Sequence, residues 1–286
     1  MTVNPFVYIV PNSMDEVFKF IQQNGTPGLR GNQATVFPST KREIQSTGLG
    51  IAEKNADFNL KLQEVNFYVI DATITYAELA SHIATESHRA LKKALAAISD
   101  PSLAADSVIG DAFDEGDKNP HCHVLAALMA LDAELRIVGM TTERLVPIAT
   151  FYQSGGVKGL LKGERIEVIH LPNQEKSSSD YEKMSFLEGG RTICGLAVAL
   201  TKAAGFVTHI RVVLTGCVNL PVRLEKVMDA MLGVKIDSAQ VEVALEKVEE
   251  EVLVLQNELA IHEAYLRHLI KVMLRKAIHE SLRYSY

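Results

Sequence analysis

The stretch NPHCHVLAALMALDAELRIVG, residues 119–139, changes character partway along, and that change decides the fold class. Pro120 suits the first position of a helix, where its missing N–H costs nothing, and an almost unbroken apolar run follows it. From Glu134 the chain reads as strand: ELRIVG and ERLVPI (143–148) pair as a hairpin, and GERIEVIHLP (163–172) is a further strand that Pro172 ends. Helices and antiparallel strands within one such segment give a mixed α+β protein.

The same reading extends in both directions. Upstream, EVNFYVIDATITYAELASHI (64–83) is a strand through about Ile70, a short crossing and a helix introduced by Thr75. Residues 86–99 continue as helix, with Leu91, Leu95 and Ile98 at helical spacing. DSVIGDAF (106–113) then forms a turn around Gly110. At the start, Phe6, Tyr8 and Val10 read as a strand stopped by Pro11, a helix follows from Asn12 or Ser13, and LRGNQATVFPST (29–40) returns as strand, in the manner of a short βαβ unit. Downstream, NQEKSSSD (173–180) is polar and serine-rich and reads as a linker. Two β-branched strands, RTICGLAVALTKAAG and FVTHIRVVLTG, turn at Ala204 and Gly205, and the remainder is helical to the end.

Composition removes several classes of function. With 29 basic and 35 acidic residues the formal charge is −6, and no long basic run offers a nucleic-acid surface. The longest apolar runs are too short to span a bilayer. MTVNPFVYIVPNSMDEV lacks both a basic leader and an uninterrupted apolar stretch, so the expectation is a cytoplasmic protein. Cys122, Cys194 and Cys217 form no CxxC pair, which suits a reducing compartment and leaves too few ligands for an iron–sulfur cluster on this chain alone. In His121-Cys122-His123, residues two apart on a helix point about 200° apart, so the trio reads as the first turn of a packed helix rather than a zinc site.

The order of segments nevertheless carries a resemblance. ALKKALAAISDPSLAADSVIGD, then NPHCHVLAALMALDAELRI, ERLVPIATFY and GERIEVIHLP, with AYLRHLIKVMLRKAI near the end, resemble in succession the FAD-binding medium subunit of molybdenum hydroxylases, the carbon monoxide dehydrogenase and xanthine dehydrogenase type. The resemblance implies an α+β protein: a two-part FAD-binding domain of the vanillyl-alcohol-oxidase/PCMH type over 1–172, with parts at about 1–59 and 60–172. A linker at 173–180 and a C-terminal domain over 181–286, a small antiparallel sheet with helices, complete it. It further implies FAD as cofactor, a molybdopterin-binding large subunit and a 2Fe-2S small subunit as partners, and transfer of electrons to NAD+ or another acceptor. No catalytic acid, base or nucleophile is required of such a chain, because the flavin carries the redox chemistry.

The resemblance also implies where FAD sits. Its pyrophosphate would lie between two glycine turns, one at Leu29, Arg30, Gly31, Asn32 and Gln33, the other at Ser107, Ile109, Gly110 and Asp111. Glycine suits such a cradle because a Cβ obstructs close approach and positive φ. Gly110→Val would then weaken FAD binding with the fold intact. Asp117 would approach the ribityl chain, and Lys183 would either stand near the flavin ring or be a solvated lysine on an edge strand. Arg30, Asn32, Ile109 and Asp111 depart from the family's usual Ala, Gly, Gly and Asn. A β-branched Ile109 would be strained at positive φ, and Asp111, Asp114, Glu115 and Asp117 place negative charge beside a dianion. The second reading is therefore a structural subunit of such a complex that has lost FAD.

Overall fold

The computed structural model of the protein describes residues 62–63, 67–81, 83–98, 100–113, 122–173, 177–185, 192–255 and 261–283; the expected βαβ unit of residues 1–59 and the helix start at Pro120 lie outside them. Two antiparallel sheets organise the described chain. The first contains β1 (Leu62–Gln63), β2 (Phe67–Asp71), β3 (Glu134–Val138), β4 (Glu143–Pro147) and β5 (Arg165–Pro172), in the order β1-β2-β5-β3-β4. The second contains β6 (Ser177–Ser185), β7 (Thr192–Ala203), β8 (Phe206–Thr215) and β9 (Val222–Arg223), in sequence order. Ala204 and Gly205, at φ 52° and 84°, make the tight turn between β7 and β8.

Among the described residues six α-helices fall between β2 and β5 in the chain: α1 (Tyr76–Ala80), α2 (Ile83–Ser87), α3 (Arg89–Ala96), α4 (Pro101–Asp106), α5 (Cys122–Ala130) and α6 (Ile148–Gln153). Thr75 starts α1 through a capping box: its hydroxyl accepts the Glu78 N–H at 3.2 Å and the Glu78 carboxylate accepts the Thr75 N–H at 3.0 Å. α4 falls where the sequence reading leaves only the approach to a turn. Its signal is Asp100-Pro101: the Asp100 carboxylate accepts the Ser102 N–H at 2.9 Å, and Pro101 fills the first helical position.

α5 has no polar face in its body, since every residue from His123 to Ala130 is buried. A helix apolar on all sides needs cover on all sides. The second sheet supplies part of it through β7, which is buried on both faces from Ile193 to Leu200. Leu196, Val198 and Leu200 face one way, into a core with α7 (Glu225–Met231), α8 (Ser238–Glu246) and α9 (Glu263–Arg283). Ala197 and Ala199 face the other way, into the core that contains α5. The period of two thus divides large from small side chains, and the small face admits a helix at close range. α9 closes the far side with Leu266, Leu269, Ile270, Met273, Leu274, Ala277 and Ile278 at spacings of three and four.

The linker expected at 173–180 is corrected by the structure. Ser177 to Asp180 are the first residues of β6, so the second sheet begins before residue 181, and Ser178, Ser179 and Asp180 are buried. Their polarity serves a helix rather than solvent. The Ser179 hydroxyl accepts the Ala90 N–H at 3.2 Å in the first turn of α3, and the Lys183 ammonium donates to the Ala97 carbonyl at 2.9 Å just beyond its end. Between them Asp180, with no exposed surface, meets Arg89 Nε at 3.0 Å and Lys93 Nζ at 2.8 Å. Glu182 receives Lys93 and Lys276 of α9, each at 2.7 Å, and Arg89 continues to Glu280 at 3.0 Å. β6 is therefore read along its length by α3, with α9 joining from the other side.

A second ionic tether lies at the far end of α5. Asp132, at φ 53°, accepts from His209 Nε2 at 2.7 Å, Arg211 Nε at 2.9 Å and Arg223 Nη2 at 2.6 Å, all on β8 and β9. Burial works against its ionised form, but the His209 hydrogen bond and the two guanidinium groups outweigh it and hold the Asp132 carboxyl below its ordinary range.

Two outcomes are expected. Lys93→Ala leaves Asp180 buried with Arg89 alone; because Lys93 is itself 32% exposed, the loss is discounted from that of a fully buried pair to about 2 kcal/mol, measured by denaturant unfolding. Asp132 has a depressed folded pKa, so its contribution is fully present above the ordinary carboxylate pKa of about 4 and is lost as pH falls through the folded value. The acid limb of the stability profile should therefore be shallower in Asp132→Asn than in the parent.

Candidate functional site

The described half of the expected cradle begins where β2 ends. Asp71 turns the chain by accepting the Thr73 N–H at 2.7 Å and the Thr73 hydroxyl at 2.6 Å through one carboxylate oxygen. Residues 72–76 then run alongside the 107–111 segment, with Thr75 and Val108 forming an antiparallel bridge. Residues Ile109–Phe113 coil into a single stretch of 3₁₀ helix, and Ile109 and Phe113 drop into the core.

The backbone amides of the turn are bonded within the protein. Ser107 N–H donates to Leu103 O at 3.0 Å, Val108 N–H to Asp111 Oδ2 at 3.0 Å, Ile109 N–H to Ile74 O at 2.9 Å, Gly110 N–H to Ala72 O at 2.8 Å and Asp111 N–H to Val108 O at 3.0 Å. All five amides are directed at the protein's own acceptors. The Gly110 amide, expected to face a phosphate, is bonded to Ala72 O, and a Cβ at this position would stand 2.9 Å from that carbonyl oxygen. Ile109 carries no strain either, since Asp132 and Ala204 are the non-glycine residues with positive φ among those described. Asp111 is part of the turn's own scaffold through Val108. The Ser107 side chain is half-buried.

Other expected site residues are placed differently. Leu29, Arg30, Gly31, Asn32, Gln33 and Asp117 lie outside the described residues. Lys183 is on the edge strand β6, as expected of one reading, yet it is half-buried and its ammonium is committed to the end of α3. His123 lies against the second sheet, with the Tyr181 hydroxyl of β6 2.7 Å from its Nδ1 and the Thr192 hydroxyl of β7 3.2 Å from its Nε2. Burial pushes the Tyr181 hydroxyl well above its ordinary pKa, so it keeps its proton. Among the described residues no group of three or more His, Cys, Asp or Glu side chains could hold a metal ion. No described helix is long and apolar enough to cross a membrane.

Comparison with known proteins agrees with this architecture in both halves. Residues 4–174 match the family model of the FAD binding domain in molybdopterin dehydrogenase, and residues 179–281 match the CO dehydrogenase flavoprotein C-terminal domain. The chain belongs to this family and is an FAD-binding medium subunit of the molybdenum hydroxylase type, part of an oxidoreductase. The glyceraldehyde dehydrogenase medium chain of Sulfolobus acidocaldarius is 24% identical over 96% of this chain and 98% of its own length. The carbon monoxide dehydrogenase medium chain of Hydrogenophaga pseudoflava is 25% identical over 80% of each. In fold, carbon monoxide dehydrogenase from Hydrogenophaga pseudoflava superposes with a TM-score of 0.84 at 23% identity, covering 100% of both chains. Quinoline 2-oxidoreductase from Pseudomonas putida 86 gives 0.80 at 16%, covering 99% of both.

The corrected turn generates a paired prediction. Gly110→Val should lower unfolding stability by about 1–3 kcal/mol, because the Ala72 carbonyl must move and the Gly110 N–H bond opens. Ser107→Ala should leave the unfolding curve within about 0.5 kcal/mol of the parent and weaken FAD retention, read as flavin released on gel filtration. Unchanged stability in Gly110→Val would contradict the packing role assigned to this glycine.

Proposed function

We propose that this chain is the electron-transfer flavoprotein subunit of a cytoplasmic molybdenum hydroxylase complex, taking electrons from 2Fe-2S clusters on a small subunit and passing them to NAD+. Substrate would be oxidised at a molybdopterin centre on a large subunit. The observation that carries this reading is coverage: a relative named as a medium chain matches 96% of this chain from one domain into the other. FAD, when bound, supplies the redox chemistry. The chain's own residues supply binding and position. Ser107 would donate its hydroxyl to a phosphate oxygen, the internally bonded amides of residues 107–111 make a stiff support for that hydroxyl, and the Asp180 and Asp132 tethers fix the C-terminal sheet against the FAD-binding domain. Loss of FAD with retention of a purely structural role is not favoured, because the FAD-binding family model extends across the first domain from residue 4 to residue 174.

The acceptor is tested on the assembled complex. NADH added without oxygen should bleach the flavin absorbance by reversal of the final transfer. Flavin that is bleached by the complex's reducing substrate and stays oxidised with NADH would assign another acceptor. A complex isolated with its iron–sulfur clusters and without any flavin would overturn the reading of this chain as an electron-carrying subunit.

A further inference from the structure

Strand β6 has one face toward the C-terminal core and one toward the FAD-binding domain, and its pairing with β7 assigns each residue to one of them. Tyr181 stands opposite Ala197, Lys183 opposite Gly195 and Ser185 opposite Thr192. The register slips just before Ser185, but the extra residue is Ile193 of β7, so β6 keeps its period of two through Ser185. Tyr181 and Thr192 meet His123 of α5, and Lys183 meets the Ala97 carbonyl beyond α3, which makes this the face toward the FAD-binding domain. Ser179, on the same face, accepts the Ala90 N–H. Ser185 differs from all of these: its hydroxyl oxygen is covered and has no hydrogen-bond partner. Two other serines among the described residues share that condition, but Ser178 stands opposite Leu200 of the C-terminal core, and Ser281 lies on α9, which closes that core. Ser185 is therefore the unpaired, covered serine hydroxyl on the face toward the FAD-binding domain.

We propose that Ser185 is a cofactor-binding residue whose hydroxyl donates to the edge of the flavin ring of FAD; this rests on the FAD binding that defines the family of the first domain. A hydroxyl shut away from water without a partner is unfavourable, and a bound acceptor removes that cost. The surroundings select the kind of acceptor. The cation on this face, Lys183, is committed to Ala97, while Tyr181, Ala197 and Ala199 belong to the apolar core, so the site offers one neutral donor. That suits the carbonyl and ring-nitrogen acceptors of a flat, uncharged heterocycle, whereas a phosphate asks for a cation or several amides. Access comes from the end of the strand: Ser185 as a residue is partly exposed, and Met184 beside it is exposed. A change of rotamer about the Cα–Cβ bond carries the oxygen to that open side.

The test uses the full chain stripped of flavin and titrated with FAD, with circular dichroism and denaturant unfolding recorded before FAD is added. Ser185→Ala should be at least as stable as the parent without FAD, because it removes an unpaired hydroxyl, yet bind FAD about fivefold more weakly and displace the visible absorption bands of the bound flavin. Ser185→Thr, which keeps the hydroxyl, should restore both affinity and spectrum. Ser178→Ala removes the same kind of hydroxyl from the other face and should match the parent in both. Parental affinity or a parental flavin spectrum in Ser185→Ala would overturn the assignment, as would an equal loss of affinity in Ser178→Ala. A parent that takes up no FAD would overturn the flavin reading itself, a failure distinct from that of Ser185 alone.

Discussion

A carboxylate with no exposed surface can stay ionised only if cations are brought to it, and Asp180 imposes that requirement on the whole protein. Its two cations, Arg89 and Lys93, stand one helical turn apart on α3, which precedes the second sheet in the chain. Meeting the requirement therefore fixes where α3 lies along β6, and Ser179 and Lys183 secure the two ends of the same helix. Such a pair adds little net stability over apolar packing of the same volume, since desolvation offsets most of the attraction. What it supplies is register. A shift of α3 by one turn would leave Asp180 facing one of these cations in place of two.

The turn after α4 illustrates how one residue type can be selected by different forces. A glycine beside a phosphate and a glycine beside a carbonyl read alike in sequence, because both need the space a Cβ would fill. Here the neighbour is the Ala72 carbonyl, and the Ile109 and Gly110 amides close the loop onto Ile74 and Ala72, just beyond β2. Asp111 participates as a local acceptor for Val108, so its charge is part of the turn's construction.

Much of the fold was legible because its signals are local. The hairpin of β3 and β4, the stop at Pro172, the capping box at Thr75 and the turn at Ala204-Gly205 each depend on a few adjacent residues. The serines of 177–179 misled because composition reports polarity without reporting what the polar groups face; a helix end and open water select the same residues. The alternation of small and large residues along Gly195 to Leu200 was the available signal that this strand has two packed faces. The site was less legible than the fold. Amide directions depend on residues 72–76 lying beside 107–111, a pairing between distant segments that no single-sequence pattern states.

The fully buried α5 bears on the way the chain is made. It leaves the ribosome well before β7 and β8, which later cover one side of it, so during synthesis that side of an apolar helix stays exposed until the second sheet is made. Folding of the first domain thus waits on translation of the second. A gene split at the boundary would produce two polypeptides that each expose one half of a common core.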